Sequence, residues 1–438
     1  MSVAMVGVVV ALTLIFLRVP VAVVMALVGA LGFAWCTGSV HAGLAMAAEE
    51  VYQTGSSYTL SVIPLFILMG LLIARSGLSD ELYAAANALI GHFPGGLAMA
   101  TIIACGGFSA ACGSSLATTA TMAKVSVPSM RAYGYKETLA TGAVAAGGTL
   151  GILIPPSTAF ILYGLITEQD ISVLFIAGLL PGILGIILYM AAVLFVVVVD
   201  PKAGPGARRH SLGEMLAAFK GVAAVLGLFV IVMGGIYAGV FTPTEAAGIG
   251  AFLALCLTLF RRRIDLKTLA DLLYESAVTS TVIFAIVIGA TIFSNFINIS
   301  GMPGEIVALG DSFGGSPYMV LAVILVFYFF LGMVLESMSM LLLTVPILFP
   351  LIQSLAFPGL DPAMVPIWFG VIIVMATEIS LITPPVGLNV FVLKTTLPDT
   401  STASIFRGVT PFWCVDILRL AIVIAFPFIA TGLPSLLR

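Results

Sequence analysis

Long apolar runs, separated by short polar stretches, follow one another along the whole chain. Most of them reach about 20 residues, the length of helix that crosses the hydrocarbon core of a bilayer. This pattern predicts an all-α polytopic membrane protein. The predicted apolar segments are 3–17, 19–38, 58–75, 95–128, 138–167, 173–199, 220–240, 243–260, 278–299, 317–356, 364–397 and 412–435.

The composition indicates a lipid environment and argues against several classes of function. Charged residues make up 8% of the chain, whereas a soluble domain carries about 25%. The net charge of −3 is not concentrated in any block, which argues against nucleic-acid binding. The five cysteines lack CxxC spacing and the three histidines are isolated, so no metal site or catalytic group is indicated. No GxxxxGKS or GxxxxGKT motif occurs, so ATP hydrolysis is not expected.

The basic residues between the segments predict the topology. Lys and Arg are concentrated in the loops 200–213 and 261–267, which the positive-inside rule places in the cytoplasm. Counting spans outward from these loops places both termini on the periplasmic side, with Arg438 as an exception. The stretches that contain no Lys or Arg, and that fall outside, are 39–57, 168–172 and 300–316.

Three pairs of landmarks recur at nearly constant spacing, which indicates an internal repeat. The pairs are Pro20 and Pro243, 223 residues apart, Glu81 and Glu305, 224 apart, and Pro155 and Pro384, 229 apart. We predict a first repeat over residues 1–213 and a second over 214–438. Because the segment 76–92 is predicted inside and its counterpart 300–316 outside, the repeats are inverted, as in many secondary transporters.

Each repeat contains a segment that small or polar residues interrupt at its centre. In 95–128 the interruption is the run 109–115, and in 317–356 it is the run 336–339. The arm that follows Ser115 reaches Pro128 after about 13 residues, or roughly 20 Å of helix. This length is below the ~30 Å of the hydrocarbon core. We therefore favour re-entrant helical hairpins over pairs of full spans, although charge permits both.

A second kind of break is a pair of consecutive prolines. Pro-Pro interrupts the segment 138–167 at 155–156 and the segment 364–397 at 384–385. Two prolines remove amide donors and leave the carbonyls of the preceding turn without partners. Each break is either a packing kink or part of a binding site. Their matched positions, each beside a predicted hairpin, favour a site.

The exposed ends of broken helices suggest which solutes could bind. Freed carbonyls and hydroxyls are oxygen ligands that suit a hard cation such as Na⁺, and half-helix N-termini, such as those near Ser115 and Ser157, can bind an anion. The predicted hydroxyl ligands are Ser109, Ser114, Ser115 and Thr383.

Two acids, Glu336 and Glu378, lie within apolar stretches. Insertion scales assign a mid-membrane carboxylate a cost of about 2.5–3.5 kcal/mol. Each acid is therefore either a coupling residue or a hydrogen-bond acceptor that fixes a broken helix.

Five motifs are distributed along the chain: GSSLAT at 113–118, GILIPPS at 151–157, FTPTEAA at 241–247, LLTVP at 342–346 and EISLITPPVGLN at 378–389. Together they resemble the large membrane subunit of the tripartite ATP-independent periplasmic (TRAP) transporters. The resemblance extends over essentially the whole chain. The tip residues Ala110, Ala111 and Cys112 depart from the Ser- and Gly-rich tip of that family.

The resemblance implies a fold of the ion-transporter superfamily, with a scaffold, a mobile elevator domain, two re-entrant hairpins and two unwound helices. It implies cation sites formed by Gly113, Ser114, Ser115, Ile154 and Pro156 on one side and by Ser337, Thr383, Pro385 and Gly387 on the other. The substrate-binding residues predicted with this arrangement are Ser109, Thr118, Ser157, Ser339 and Asn389.

The function that the resemblance implies is Na⁺-coupled import of an organic acid across the cytoplasmic (inner) membrane of a bacterium or archaeon. The acid, a C4-dicarboxylate, a sugar acid or a similar carboxylate, would be delivered by a periplasmic solute-binding protein. A small four-helix membrane subunit is expected as a separate partner, because Met1 leads directly into the large-subunit pattern. No organic cofactor is expected.

Three other functions compete with this one. A stand-alone carboxylate symporter of the same superfamily predicts uptake without a binding protein. An intramembrane enzyme or a purely structural subunit predicts a reactive cluster such as paired Asp or HExxH, and the sequence contains none. A passive channel is a further possibility, but paired broken helices favour a binding site over a pore.

Overall fold

Helices form almost all of the protein. The computed structural model describes residues 3–312, 316–333 and 335–437, and within these ranges it contains no strand. The helices of the first part of the chain are α1 (Val3–Phe16), α2 (Val21–Thr37), α3 (Val40–Ser56), α4 (Val62–Arg75), α5 (Leu78–Ile90), α6 (Gly96–Cys112), α7 (Ser115–Ala132), α8 (Glu137–Thr149), α9 (Thr158–Thr167) and α10 (Ile171–Val199). Those of the second part are α11 (Leu212–Tyr237), α12 (Pro243–Phe260), α13 (Leu266–Ile299), α14 (Met302–Ser312), α15 (Pro317–Leu331), α16 (Ser337–Ser354), α17 (Val365–Ser380), α18 (Leu388–Thr396), α19 (Thr402–Ala425) and α20 (Phe428–Leu437).

Several of these helices are long and apolar enough to cross a membrane. In the described ranges there are seven, or eight if the pair formed by α3 and α4, bent by 59°, counts as one span. The predicted all-helical, multi-pass membrane protein is confirmed. Arg438, the exception to the predicted topology, lies outside the described residues.

The order of elements from α5 to α10 recurs from α14 to α19. In each series a short helix precedes two helices that meet at a tip, then a helix broken at a Pro-Pro pair, then a long helix. Both Pro-Pro bonds, Pro155-Pro156 and Pro384-Pro385, are cis. The predicted pairing of the breaks therefore has a structural counterpart, while the boundary between 213 and 214 and the inverted orientation stay predictions.

Close packing divides most of the helices into two groups. One group contains α1–α4 and α11–α13, in which α2 lies along α13 and α4 along α12. The other contains α6–α10 and α15–α20, in which α8 lies along α19. Glycines permit these close approaches, because a Cβ atom at Gly29 would lie 2.7 Å from the backbone of Phe293, and one at Gly142 would lie 2.2 Å from the Gly408 carbonyl oxygen.

Two ion pairs fasten polar segments outside the apolar core. Arg261 Nη1 lies 2.8 Å from Glu81 Oε2, and its Nη2 donates to the Gly221 carbonyl at 2.8 Å, so that α5, α11 and α12 are tied together. Lys136, at the start of α8, pairs with Asp200 at the end of α10. The hydrogen bond from Lys136 lowers the pKa of Asp200 below its usual range.

Several predicted boundaries were wrong. Pro128 does not end the second arm of the first hairpin: α7 extends from Ser115 through Pro128 to Ala132, a total of 18 residues, or about 27 Å. A proline inside a membrane helix is tolerated where neighbouring groups satisfy the freed backbone. The segment 412–435 is two helices, separated at Phe426 and Pro427. Helices α3, α5 and α14 were missed because they carry polar residues and do not form apolar runs.

Candidate functional site

The first hairpin turns sharply between α6 and α7. Gly113 ends α6 with φ 62°, in the left-handed region that favours glycine. Ser114 has extended backbone, and its Oγ accepts a hydrogen bond from the Ala117 amide at 3.4 Å, which caps α7. The carbonyl end of one helix and the amide end of the next therefore meet at this tip.

The second hairpin has a carboxylate at the equivalent position. Glu336 caps α16: its carboxylate accepts hydrogen bonds from the Ser339 amide at 2.6 Å, the Met338 amide at 3.2 Å and the Ser339 hydroxyl at 2.7 Å. Of the two interpretations left open for Glu336, the hydrogen bond that fixes a broken helix is present. The residue is only half-buried.

The first tip packs against the first Pro-Pro break. The Thr158 hydroxyl donates to the Gly113 carbonyl at 3.0 Å, and the Ser115 hydroxyl donates to the Thr149 carbonyl at 3.3 Å. A Cβ atom at Gly151 would lie only 2.8 Å from the Ser114 carbonyl group. The backbone of the tip at Ser114 is in direct contact with the backbone of the break at Gly151. A movement of the tip would therefore displace the break.

The second hairpin also packs against the second broken helix. A Cβ atom at Gly332, the residue after α15, would lie 2.1 Å from the side chain of Ser380, the last residue of α17. The two halves are also interlocked, because α16 packs on α9 and α7 packs on α18. Hairpins and broken helices therefore form one packed unit.

A cavity of about 840 Å³ lies between this unit and the helices α2 and α13. Both tips reach it, and no Lys, Arg or His occurs among the described residues that line it. The polar lining that sequence analysis missed includes Glu275 and Thr279 on α13 and Thr158 on α9. The predicted site residues that line the cavity are Gly113, Ser114, Ser115, Glu336, Ser337 and Ser339.

The other predicted cation ligands lie behind the tips or beyond the lining of this cavity. Ile154 and Pro156 line a second, apolar cavity of about 390 Å³. The Thr383 hydroxyl donates to the Ile379 carbonyl at 2.6 Å and accepts from Trp413 Nε1 at 2.9 Å. Pro385 is exposed, and Gly387, with φ 55°, precedes α18.

Most of the predicted substrate ligands are buried away from the cavity. The Ser109 hydroxyl donates to the Cys105 carbonyl at 2.5 Å. The Ser157 hydroxyl donates to the Ile152 carbonyl and accepts from the Phe160 amide. Asn389 Nδ2 donates to the Ala145 carbonyl at 3.2 Å. Thr118 is likewise fully buried. Of the five, only Ser339 is among the described residues that line the cavity.

Glu378 belongs to a charged group in the interior. Its Oε2 lies 3.2 Å from Arg419 Nη2, which in turn lies 3.0 Å from Asp416 Oδ1. The side chains of these three residues have no exposed surface. Gly185 makes room for the arginine, because a Cβ atom there would lie 2.1 Å from Arg419 Nη1. Sequence analysis missed Asp416 and Arg419, although the same rule that singled out Glu378 applies to both.

Comparison with known proteins agrees with this architecture. The model of the family "Tripartite ATP-independent periplasmic transporter, DctM component" matches residues 8–429. The C4-dicarboxylate TRAP transporter large permease protein DctM of Pseudomonas aeruginosa is 37% identical over 89% of both chains. The sialic acid TRAP transporter large permease protein SiaM of Vibrio cholerae is 32% identical over 97% of both.

Among solved structures, the YdaH transporter of Alcanivorax borkumensis has a similar fold, with a TM-score of 0.60 at 14% identity over 90% of both chains. The relatives are transporter permease subunits and not enzymes, as predicted from the sequence. The family match extends over nearly the whole chain and the relatives are similar in length. This chain therefore belongs to the DctM-component family, the large permease subunits of tripartite ATP-independent periplasmic transporters.

Proposed function

We propose that this chain imports an organic acid together with Na⁺ across the cytoplasmic membrane. The observation that carries this proposal is the cavity between the two hairpin tips. Its described lining holds hydroxyls and two carboxylates, Glu275 and Glu336, but no basic side chain. An organic anion that entered alone would meet like charge, which is unfavourable in a low-dielectric site. Cations bound at the tips would remove that repulsion, so ion and substrate binding would be coupled.

The ligands proposed for the cations are backbone carbonyls and hydroxyls at the tips. The first set is Gly113, Ser114 and Ser115, with backbone oxygens of Ile154 and Pro156 behind them. A Cβ atom at Gly113 would lie 3.2 Å from the Pro156 carbonyl oxygen, which brings tip and break within range of one ion. The second set is Ser337 with the backbone and hydroxyl oxygens of Thr383, Pro385 and Gly387. Oxygen ligands of this kind suit a hard monovalent cation.

The substrate is proposed to be a carboxylate. The relatives are named for C4-dicarboxylate and for sialic acid, and both of these compounds carry a carboxylate. The first-turn amides of α7 have no partner within the helix, and they lie at the first hairpin tip. The positive end of the helix dipole is therefore at this tip, where it favours a negatively charged group. The corresponding amides of α16 already bind Glu336. The proposed substrate contact is Ser339; the other predicted ligands, Ser109, Thr118, Ser157 and Asn389, are buried behind the described lining of the cavity.

The transport cycle is proposed to be of the elevator type. The hairpins and broken helices form one packed unit, and α2 and α13 face it across the cavity. Movement of this unit against the group that contains α1–α4 and α11–α13 would carry the cavity across the bilayer. A separate small four-helix subunit and a periplasmic solute-binding protein complete the proposed transporter, with both termini of this chain on the periplasmic side.

Reconstitution tests the proposal directly. Liposomes that contain this chain and the small subunit receive a labelled carboxylate on its binding protein, with an inward Na⁺ gradient. Uptake is expected with Na⁺ and to be lost when K⁺ replaces Na⁺, or when the binding protein is omitted. Uptake that persists without the Na⁺ gradient contradicts the coupling, and uptake that persists without the binding protein favours a stand-alone symporter.

A pair of variants tests the position of the cation site. Ser114→Ala and Ser115→Ala remove the hydroxyls of two residues that line the cavity, whereas the control, Ser126→Ala, removes a buried hydroxyl bonded inside α7. The first two variants are expected to raise the Na⁺ concentration needed for half-maximal uptake and the control to leave it unchanged. An equal shift in all three variants contradicts a cation site at the first tip.

A further inference from the structure

Five polar side chains form a connected group in the interior, which we call the buried polar chain. It consists of Thr149 at the end of α8, Tyr189 on α10, Asp416 and Arg419 on α19, and Glu378 on α17. None of the five has more than negligible exposed surface. The group begins where the first broken helix starts to unwind and ends five residues before Thr383, at the second break. It therefore joins the two breaks through the protein interior.

The oxygen contacts at one end of the group need more protons than its hydroxyls supply. Asp416 Oδ2 lies 2.5 Å from Tyr189 Oη, which lies 2.9 Å from Thr149 Oγ1, which lies 2.7 Å from the Ala146 carbonyl oxygen. The carbonyl can only accept, so the Thr149 proton is used there. Either oxygen can donate in the contact between Tyr189 and Thr149; with the Thr149 proton on the carbonyl, Tyr189 is the donor there. The third contact, in which Tyr189 would donate to an ionised Asp416, then lacks a proton unless Asp416 supplies one.

The count of charges leads to the same conclusion. The group contains two carboxyl groups and one guanidinium, and all three lie out of contact with solvent. With both acids ionised, one negative charge would have no partner in the interior, which costs several kcal/mol. One proton on one carboxyl group makes the group neutral. The proton count and the charge count rest on different contacts, and both favour one proton on a carboxyl group.

The geometry also indicates which acid holds the proton. Glu378 Oε2 accepts from Arg419 Nη2 at 3.2 Å, an arrangement that suits an ionised carboxylate. Asp416 Oδ2 lies 2.5 Å from the Tyr189 hydroxyl, whose own proton is directed to Thr149 in the arrangement described above. The titratable groups around Asp416 are Tyr189 on α10, Arg419 on its own helix and Glu378 on α17. Arg419 is shared by both acids but can balance only one.

We propose that Asp416 is a proton-binding site: it is a neutral carboxylic acid whose Oδ2–H donates to Tyr189, while Glu378 and Arg419 form the charged pair. A hydrogen-bond chain then runs in one direction from Asp416 through Tyr189 and Thr149 to the Ala146 carbonyl. This proton holds the last turn of α8 against α19, and so fixes the start of the first break. The proposal goes beyond Na⁺ coupling and does not depend on it.

Infrared spectroscopy of the full chain in lipid tests this assignment at neutral pH. A protonated carboxyl group absorbs at a C=O frequency separate from that of a carboxylate. We expect such a band in the wild-type protein and its absence in Asp416→Asn. Growth with aspartate labelled with ¹³C in the side-chain carboxyl group is expected to move the band to lower frequency, and similarly labelled glutamate to leave it in place.

The labelled wild-type protein decides the outcome even if the variants fold poorly. A band that moves with glutamate labelling assigns the proton to Glu378 and overturns the proposal. The absence from the wild-type spectrum of any protonated band that moves with aspartate labelling also overturns it. Tyr189→Phe gives a second readout, because Asp416 then loses its acceptor and its band is expected at higher frequency. A band at the same frequency in that variant contradicts the hydrogen-bond chain.

Discussion

The hydroxyl of Thr158 donates a hydrogen bond to the carbonyl oxygen of Gly113 across 3.0 Å, and so joins the first residue of α9 to the tip of the first hairpin. Thr158 also lines the cavity. The bond links two breaks in the helical backbone that are 45 residues apart in sequence. It uses one lone pair of the Gly113 carbonyl and leaves the other available to a cation.

Removal of this bond should loosen the tip. Thr158→Val keeps the shape of the side chain and removes the donor. We expect it to raise the Na⁺ concentration for half-maximal uptake several-fold and to reduce stability by about 0.5–1.5 kcal/mol. Thr158→Ser retains the hydroxyl and serves as the control. Equal uptake by both variants over a Na⁺ titration would show that the bond has no part in ion binding.

The two interpretations of Glu336 can be separated with three variants. Glu336→Ala removes the cap of α16 and should cost about 0.5–2 kcal/mol in thermal stability. Glu336→Gln keeps an acceptor for the amides, and we expect smaller destabilisation but a weaker apparent Na⁺ affinity. Glu275→Gln removes a charge from the same cavity without touching a cap. If Glu336→Gln lowers stability but leaves the Na⁺ dependence unchanged, Glu336 is a structural residue only.

The close approach at Gly151 predicts a strong effect of a single methyl group. Gly151→Ala would place a Cβ atom 2.8 Å from the backbone of Ser114, so tip and break must separate. Overpacking of this kind costs about 1–3 kcal/mol, and we expect uptake to fall more than the amount of folded protein. Gly55→Ala, where nothing lies within 4 Å, is the matched control. Normal uptake by Gly151→Ala would contradict a rigid contact between tip and break.

The ion pair between Arg419 and Glu378 predicts non-additive stability. Arg419→Met leaves a buried carboxylate without its partner, which costs about 3–5 kcal/mol. The double variant Arg419→Met with Glu378→Met removes both charges and should recover most of that loss. Thermal unfolding of the two variants in detergent or lipid measures the difference. A double variant less stable than Arg419→Met would contradict the pairing.

The pair between Lys136 and Asp200 predicts a dependence on pH and salt. The pKa of Asp200 is lowered in the folded protein, so the pair stabilises the folded state above the unfolded pKa of about 3.9. That contribution is lost as the pH falls through the lower, folded pKa. Asp200→Asn should therefore show a shallower fall of melting temperature in acid than the wild-type protein. High salt should reduce the difference, since the pair is exposed.

The breaks in the helices could be predicted from sequence because their causes are local. Consecutive prolines remove amide donors whatever surrounds them, and Gly113 followed by Ser114 carries both an end signal for one helix and a cap for the next. The position of the second tip followed in the same way from Glu336. Pro128 shows where this reasoning fails: a proline permits a break but does not require one when neighbouring helices support the backbone.

Which polar side chains face the cavity could not be predicted, because it depends on contacts between distant helices. Ser109 and Ser157 have the same chemistry as Ser114, but their hydroxyls bond to nearby carbonyls and are buried. Glu275 was missed because the apolar run begins only after it, whereas the helix begins at Leu266. Asp416 and Arg419 carried a readable signal, since two charges one turn apart inside an apolar segment require each other or a third partner.

The crossed packing of α16 on α9 and of α7 on α18 has a consequence for the origin and assembly of the chain. Helix α16, in the second half of the chain, covers α9, the helix that follows the first break. Helix α7, in the first half, covers α18, the helix that follows the second break. A polypeptide that contained one half alone would leave that helix bare in the membrane unless a second copy covered it. The present chain is thus equivalent to an intertwined pair of protomers joined end to end. During synthesis, neither half can reach its native packing before the other half has been made.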